Sequence, residues 1–175
     1  MIDTISKRLA ISIVNAAPGQ TSSVTVLTYY IAVTLNLLAV IVLSIAVGGI
    51  LGTVVDTLIA LISFVVLRMF SGGYHLRSLD LCVVVTVAIV TAIPMIPLTE
   101  GGTIITSIIA AIIVLILAPN NVYDQSLVTT KLFPWLKGIS VMIALSNIFI
   151  QSPVVAMAFL VQGILLMPKG EVMNK

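Results

Sequence analysis

Six apolar runs separated by short polar breaks constrain this chain more than any other feature. They cover residues 24–47, 50–67, 81–98, 103–118, 136–150 and 153–167. A hydrocarbon core of about 30 Å takes roughly 20 apolar helical residues to cross. Inside lipid the backbone has to satisfy its own polar groups, so such runs fold as helices. The composition agrees: 60% of the residues are apolar and 8% are charged, too little polar surface to cover a soluble domain. The expected fold is all-α: one membrane domain over residues 1–175, with a polytopic helical bundle of about six membrane segments in 24–167. Pro94 and Pro97 are expected to kink or end the third run. The last two runs are short, so they are expected to thin the bilayer locally or to form a re-entrant hairpin.

Residues 2–17 have a different pattern. At 100° per residue, Ile2, Ile5, Leu9, Ile13 and Ala16 share one side, and Asp3, Lys7, Arg8, Ser12 and Asn15 share the other. That predicts an amphipathic helix lying in the membrane interface, ended by Pro18-Gly19-Gln20. No cleavable signal segment is read at the N-terminus.

Charge placement predicts orientation. The turns expected at 48–49, 99–102 and 151–152 hold no Lys or Arg. All eight basic residues lie elsewhere: Lys7, Arg8, Arg68, Arg77, Lys131, Lys137, Lys169 and Lys175. Basic residues concentrate on the cytoplasmic side. Both termini and the loops at 68–80 and 119–137 are therefore expected in the cytoplasm, with the bilayer as a partner. The net charge of +2 gives no footprint for nucleic acid. One cysteine excludes an intramolecular disulfide and a cysteine cluster for zinc. No metal site and no cofactor are expected.

The most polar stretch is Arg68-Met69-Phe70-Ser71-Gly72-Gly73-Tyr74-His75-Leu76-Arg77-Ser78-Leu79-Asp80-Leu81-Cys82, and it holds the chain's only histidine and only cysteine. Thiol and imidazole are the groups that thiolate-based acyl transfer requires. Arg68 closes the second run and is expected to snorkel outward. Gly72-Gly73 permits positive φ and close approach of another segment. Ser78 is a good N-cap for the third run's helix, and Asp80 suits its first turn. Cys82 then falls in or just after that turn, where the helix dipole favours a thiolate. If residues 75–82 were all helical, His75 and Cys82 would be about 10 Å apart. A bent loop before the helix would bring the imidazole back. Asp80 either orients that imidazole or serves only the helix dipole.

The pattern Arg68-x-x-x-Gly72-Gly73-x-His75, followed by Cys82, resembles the signature of the AgrB family, integral membrane cysteine endopeptidases of bacterial quorum sensing. The amphipathic N-terminus, the length and the six-run layout are also similar, as is Ala118-Pro119-Asn120 leading into a polar loop. The resemblance implies a bacterial cell-membrane enzyme with His75 and Cys82 as its catalytic dyad. It implies support from Arg68 and Gly73, which match family positions needed for activity. The implied substrate is a small propeptide with an amphipathic leader and an acidic tail, cleaved and cyclised to a thiolactone or lactone. The basic residues Arg77, Lys131 and Lys137, with Arg68, either dock that acidic tail or only anchor span ends on anionic lipid. A homodimer stays open.

The rival is a small transporter or channel component without covalent chemistry. In that reading Asn36, Asp56 and the proline-kinked third run line a polar path. Asp56 is an acid within a run and is expected to accept hydrogen bonds inside the bundle. Asn36, Asn147 and Gln162 are expected to bond between helices.

Overall fold

The computed structural model describes residues 1–16, 23–73, 78–120 and 132–167. Among them the fold is all-helical: α1 (Ile2–Ala16), α2 (Val24–Leu51), α3 (Val54–Ser71), α4 (Leu79–Ala92), α5 (Glu100–Leu117), α6 (Phe133–Ile150) and α7 (Pro153–Leu165). One 3-10 turn, Ile93–Met95, follows α4. Four helices are long and apolar enough to cross a membrane: α2, α3, α5 and α6. The helical stretch Leu79–Met95 and α7 are apolar but shorter.

Helix α3 is central and packs on α2, α4, α6 and α7. Two apolar clusters result. One joins Val40 of α2, Leu61 and Phe64 of α3, Val83 and Val87 of α4 and Ala158 of α7. The other joins Leu67 of α3, Val114 of α5, Ala144 of α6 and Phe159 of α7. Large apolar side chains such as Val42, Val55, Ile116, Met142 and Phe149 stay exposed around the outside. An outward apolar surface with a small-residue interior suits a bundle solvated by lipid.

Several helix boundaries differ from the sequence reading. The first turn is not at Gly48-Gly49. Helix α2 runs through both glycines and ends at Gly52, whose φ of 72° is left-handed. Gly48 is there for packing. A Cβ at this position would lie 3.1 Å from Thr57 Oγ1. Residues 100–102 are likewise helical. Thr99 caps α5 by accepting from the Gly102 N–H at 3.2 Å, and Glu100 sits in the first turn, where an acid complements the dipole. Helix α6 begins at Phe133 rather than 136, because Pro134 falls in its first turn, where proline is tolerated. The third run does end at its prolines: α4 stops at Ala92, just before Pro94.

Helix α1 forms over nearly the expected span, but it packs on a neighbouring face. Ser6 and Ala10 are buried and Ile2 and Val14 half-buried, while Ile5, Leu9 and Ile13 stay exposed. Small side chains let α1 approach α2 closely, leaving the larger apolar residues beside the contact uncovered.

The turn at Gln151-Ser152 lies where the sequence puts it. Buried Asn147 secures it: its Nδ2 donates to Ser107 Oγ at 2.9 Å and to the Ser152 carbonyl at 3.0 Å. Its Oδ1 accepts from the Ser152 N–H at 3.2 Å. Helix α7 runs from this end of the bundle to the other, where Leu166 meets Asn120. The ends of α3, α5 and α7 thus gather at one pole.

Candidate active site

The pole is built on the glycine pair. Gly72 and Gly73 have φ of 76° and 139°, a conformation that side chains strain to adopt. This turns the chain so that it runs parallel to the segment after α5, with Gly72 bridged to Asn120. The Gly73 N–H donates to the Asn120 carbonyl at 3.0 Å, and the Asn120 N–H donates to the Ser71 carbonyl at 3.1 Å. Asn120 Nδ2 donates to the Leu166 carbonyl at 2.7 Å. The close approach expected of the Gly-Gly pair is therefore real, and its partner is Asn120.

Arg68 does not snorkel outward. Its side chain turns inward, with Cζ 5.9 Å from the centre of the Phe64 ring. Its Nη1 donates to Gln162 Oε1 at 3.4 Å. The reason is local: Phe64 lies one turn back on the same face of α3, and α7 offers a buried amide oxygen.

Cys82 is half-buried and carries a free thiol. Ser78 is the N-cap residue of α4, though its hydroxyl makes no capping bond. The Cys82 N–H donates to the Ser78 carbonyl at 3.1 Å, which closes the first helical turn. The placement read from sequence holds.

Asp80 has a partner that sequence reasoning missed. Its Oδ2 accepts from the Met1 amino group at 2.6 Å, and its Oδ1 accepts from the Ile2 N–H at 3.2 Å. The acid of α4's first turn also caps the start of α1. Neither the imidazole-orienting nor the helix-dipole reading of Asp80 points to this partner, since nothing local marks a residue 79 positions away.

Lys137 lies inside α6, in its second turn, and not in a loop. Tyr74, His75, Leu76, Arg77 and Lys131 lie outside the described residues, so the dyad geometry and two of the docking lysine and arginine positions are not described. Asp56 is exposed in the first turn of α3, at the end of that helix away from Arg68. The expectation that it bonds inside the bundle fails, because its helix begins only two residues before it. Asn36 Oδ1 has no hydrogen-bond partner among the described residues, whereas Asn147 and Gln162 do bond between helices.

Fold and site together define a helical membrane protein with a lone thiol and an inward-turned arginine at one pole of the bundle. The family model of Accessory gene regulator B matches residues 6–167, nearly the whole chain, and the chain belongs to that AgrB family. No curated protein and no solved structure matches it significantly.

Proposed function

We propose that this chain is a membrane-embedded cysteine endopeptidase that trims and cyclises a small autoinducer propeptide. One observation carries the reading: the only thiol, Cys82, closes the first turn of α4, at that helix's N-terminal end. The family match supports the reaction class.

In the proposed reaction His75 takes the Cys82 thiol proton, and the sulfur attacks a backbone carbonyl of the propeptide. The C–N bond breaks, and the acidic tail leaves as an amine carrying the proton returned by His75. An acyl-thioester remains on Cys82. A cysteine or serine of the same peptide then attacks that carbonyl, closing a thiolactone or lactone, and Cys82 recovers its proton.

The same reading sets six membrane segments with both termini and the polar pole in the cytoplasm, as the basic residues favour. Helix α1 lies at the interface, with its uncovered Ile5, Leu9 and Ile13 toward acyl chains. Arg77, Lys131 and Lys137 attract the acidic tail of the propeptide at that surface.

The test is chemical trapping. Reconstituted protein is mixed with a synthetic propeptide bearing an amphipathic leader, an internal cysteine and an acidic tail, then quenched in acid. The expected result is an adduct on Cys82 with the mass of the peptide lacking its tail. Tail release with no such adduct would overturn the covalent mechanism.

A further inference from the structure

Helix α2 is 28 residues long, and α3, which returns alongside it, is 18. The two are joined at Gly52-Thr53 and approach closely there: a Cβ on Gly48 would stand 3.1 Å from Thr57 Oγ1. Ser71 ends α3 fourteen residues beyond Thr57, so it is level with about residue 34 of α2, fourteen residues before Gly48. The start of α2, from Val24 onward, therefore runs past the polar pole by about 15 Å.

Helix α1 goes with it. Its start is fixed at the pole, where Asp80 in the first turn of α4 accepts from Met1 and Ile2. It packs on α2 along its whole length, since Ile2, Ser6, Ala10 and Val14, all on one side, are its covered positions. Because α1 has to end within reach of Val24, it runs away from α4 along the overhanging part of α2. There Ala32 is buried and Leu27, Thr28 and Ile31 are half-buried. Val26, Tyr29, Tyr30 and Val33 are exposed, as are Ile5, Leu9 and Ile13 of α1. The overhang is a two-helix hairpin with an apolar outer surface.

Helix lengths say what surrounds it. A hydrocarbon core of about 30 Å takes roughly 20 helical residues. Helices α3 and α5, with 18 residues each, fall short of that, and α4 and α7 are shorter still. Counted back from Leu51, a span of roughly 20 residues reaches about residue 32 of α2. Tyr29 and Tyr30 then fall just outside the hydrocarbon, at the depth where aromatic rings with a polar tip collect. Lys7 and Arg8 are exposed on the companion helix, able to reach headgroup phosphates. In water the same hairpin would present a large apolar surface with nothing to cover it. The pole is equipped for depth. Arg68 bonds to Gln162, Gln162 to Ser71 and Gly72, Asn120 to the Leu166 carbonyl, and Asp80 to Met1. Polar groups below the headgroups need such partners within the protein.

We propose that lipid surrounds the α1–α2 hairpin and that Cys82 consequently lies beneath the headgroup layer. Val83, the next residue, shares a cluster with Val40, ten residues along α2 from Tyr30, which puts the thiol roughly 10–15 Å below the tyrosines. A thioester formed at that depth meets little water, which favours closure by the peptide's own nucleophile over hydrolysis. That purpose rests on the cysteine-peptidase reading; the depth does not.

The experiment measures depth by fluorescence quenching. In a Cys82→Ala background, Leu81→Cys and Tyr30→Cys place a single bimane label at two exposed sites, one beside the thiol and one on the hairpin. Each protein is reconstituted in phosphatidylcholine–phosphatidylglycerol vesicles carrying a nitroxide on the lipid headgroup or on the acyl chain, and iodide is added as the aqueous quencher. The label at position 81 is expected to be quenched about twice as strongly from the acyl chain as from the headgroup, and the label at position 30 most strongly from the headgroup. Equal or stronger headgroup quenching at position 81 overturns the proposal, because the thiol then lies at the membrane surface. A label at position 30 that responds most to iodide, or most to the acyl nitroxide, overturns it as well, since the tyrosines then stand in water or in hydrocarbon. If Leu81→Cys does not assemble, Val84→Cys, also exposed on α4, serves for the same comparison. Cleavage of the synthetic propeptide by wild type and Cys82→Ala is run in parallel. Undiminished cleavage by Cys82→Ala removes the peptidase reading, whereas the quenching order decides the depth on its own.

Discussion

Nη1 of Arg68 lies 3.0 Å from the point that a Cβ on Gly73 would occupy. A Cβ there would press on the guanidinium and on the Gln162 amide nitrogen 3.3 Å away, so both would have to give by a few tenths of an ångström. Backbone strain points the same way, because Gly73 has a φ of 139°.

Gly73→Ala should therefore displace Arg68 and strain the turn. The expected cost is about 1–3 kcal/mol of stability, with propeptide cleavage falling more steeply than the amount of folded protein. Thermal unfolding in detergent and cleavage per folded molecule measure the two separately. Cleavage that falls only in proportion to folded protein would mean that the pair matters for assembly alone.

Orientation is testable with the native cysteine removed. In a Cys82→Ala background, Leu76→Cys and Gln125→Cys should resist an impermeant maleimide added to intact cells. Gly101→Cys should react, since a side chain there meets open space on the face expected outside. Outside labelling at position 76 or 125 would refute the arrangement.

Asn147 should matter for stability rather than chemistry. It is buried and bonded to Ser107 and Ser152, at the pole opposite Cys82. Asn147→Ala leaves the Ser152 groups without these bonds, and the expected loss is about 1–3 kcal/mol. Unfolding of the reconstituted protein reads this directly, and the protein that remains folded should cleave at the normal rate.

Lys131→Gln with Lys137→Gln tests tail docking. Two interfacial charge pairs at about 0.5–1 kcal/mol each predict a loss of roughly five- to thirtyfold in cleavage at low salt. The variant should also be less sensitive to salt, with membrane insertion unchanged. Neutralising acids in the peptide tail should then cost the variant little. A normal rate across salt concentrations would make both lysines membrane anchors only.

What was legible in the sequence follows from what is local. Apolar run length and the prolines after α4 gave the helices, and Ser78 and Asp80 put Cys82 at the start of α4. Boundaries failed where a residue had two uses. Gly48 looks like a turn but is a contact surface for Thr57, and Pro134 looks like a breaker but sits in a first helical turn, where it is tolerated. Periodicity found the apolar side of α1 but not its packing face, because Ser6 and Ala10 are chosen for size. Gln162 was visible as a polar residue in an apolar run. Its tie to Arg68 and Gly72 spans some 90 residues, and no local pattern encodes that.

The central claim is that Cys82 performs covalent chemistry, and cleavage by its variants tests it most directly. Wild-type, Cys82→Ala, Cys82→Ser and His75→Ala proteins are reconstituted at equal amounts and given the synthetic propeptide, and tail release is followed by mass spectrometry. The expected result is no cleavage by Cys82→Ala or His75→Ala, and severely impaired cleavage by Cys82→Ser, because a hydroxyl is a far weaker nucleophile near neutral pH. Tail release by Cys82→Ala at the wild-type rate would contradict it.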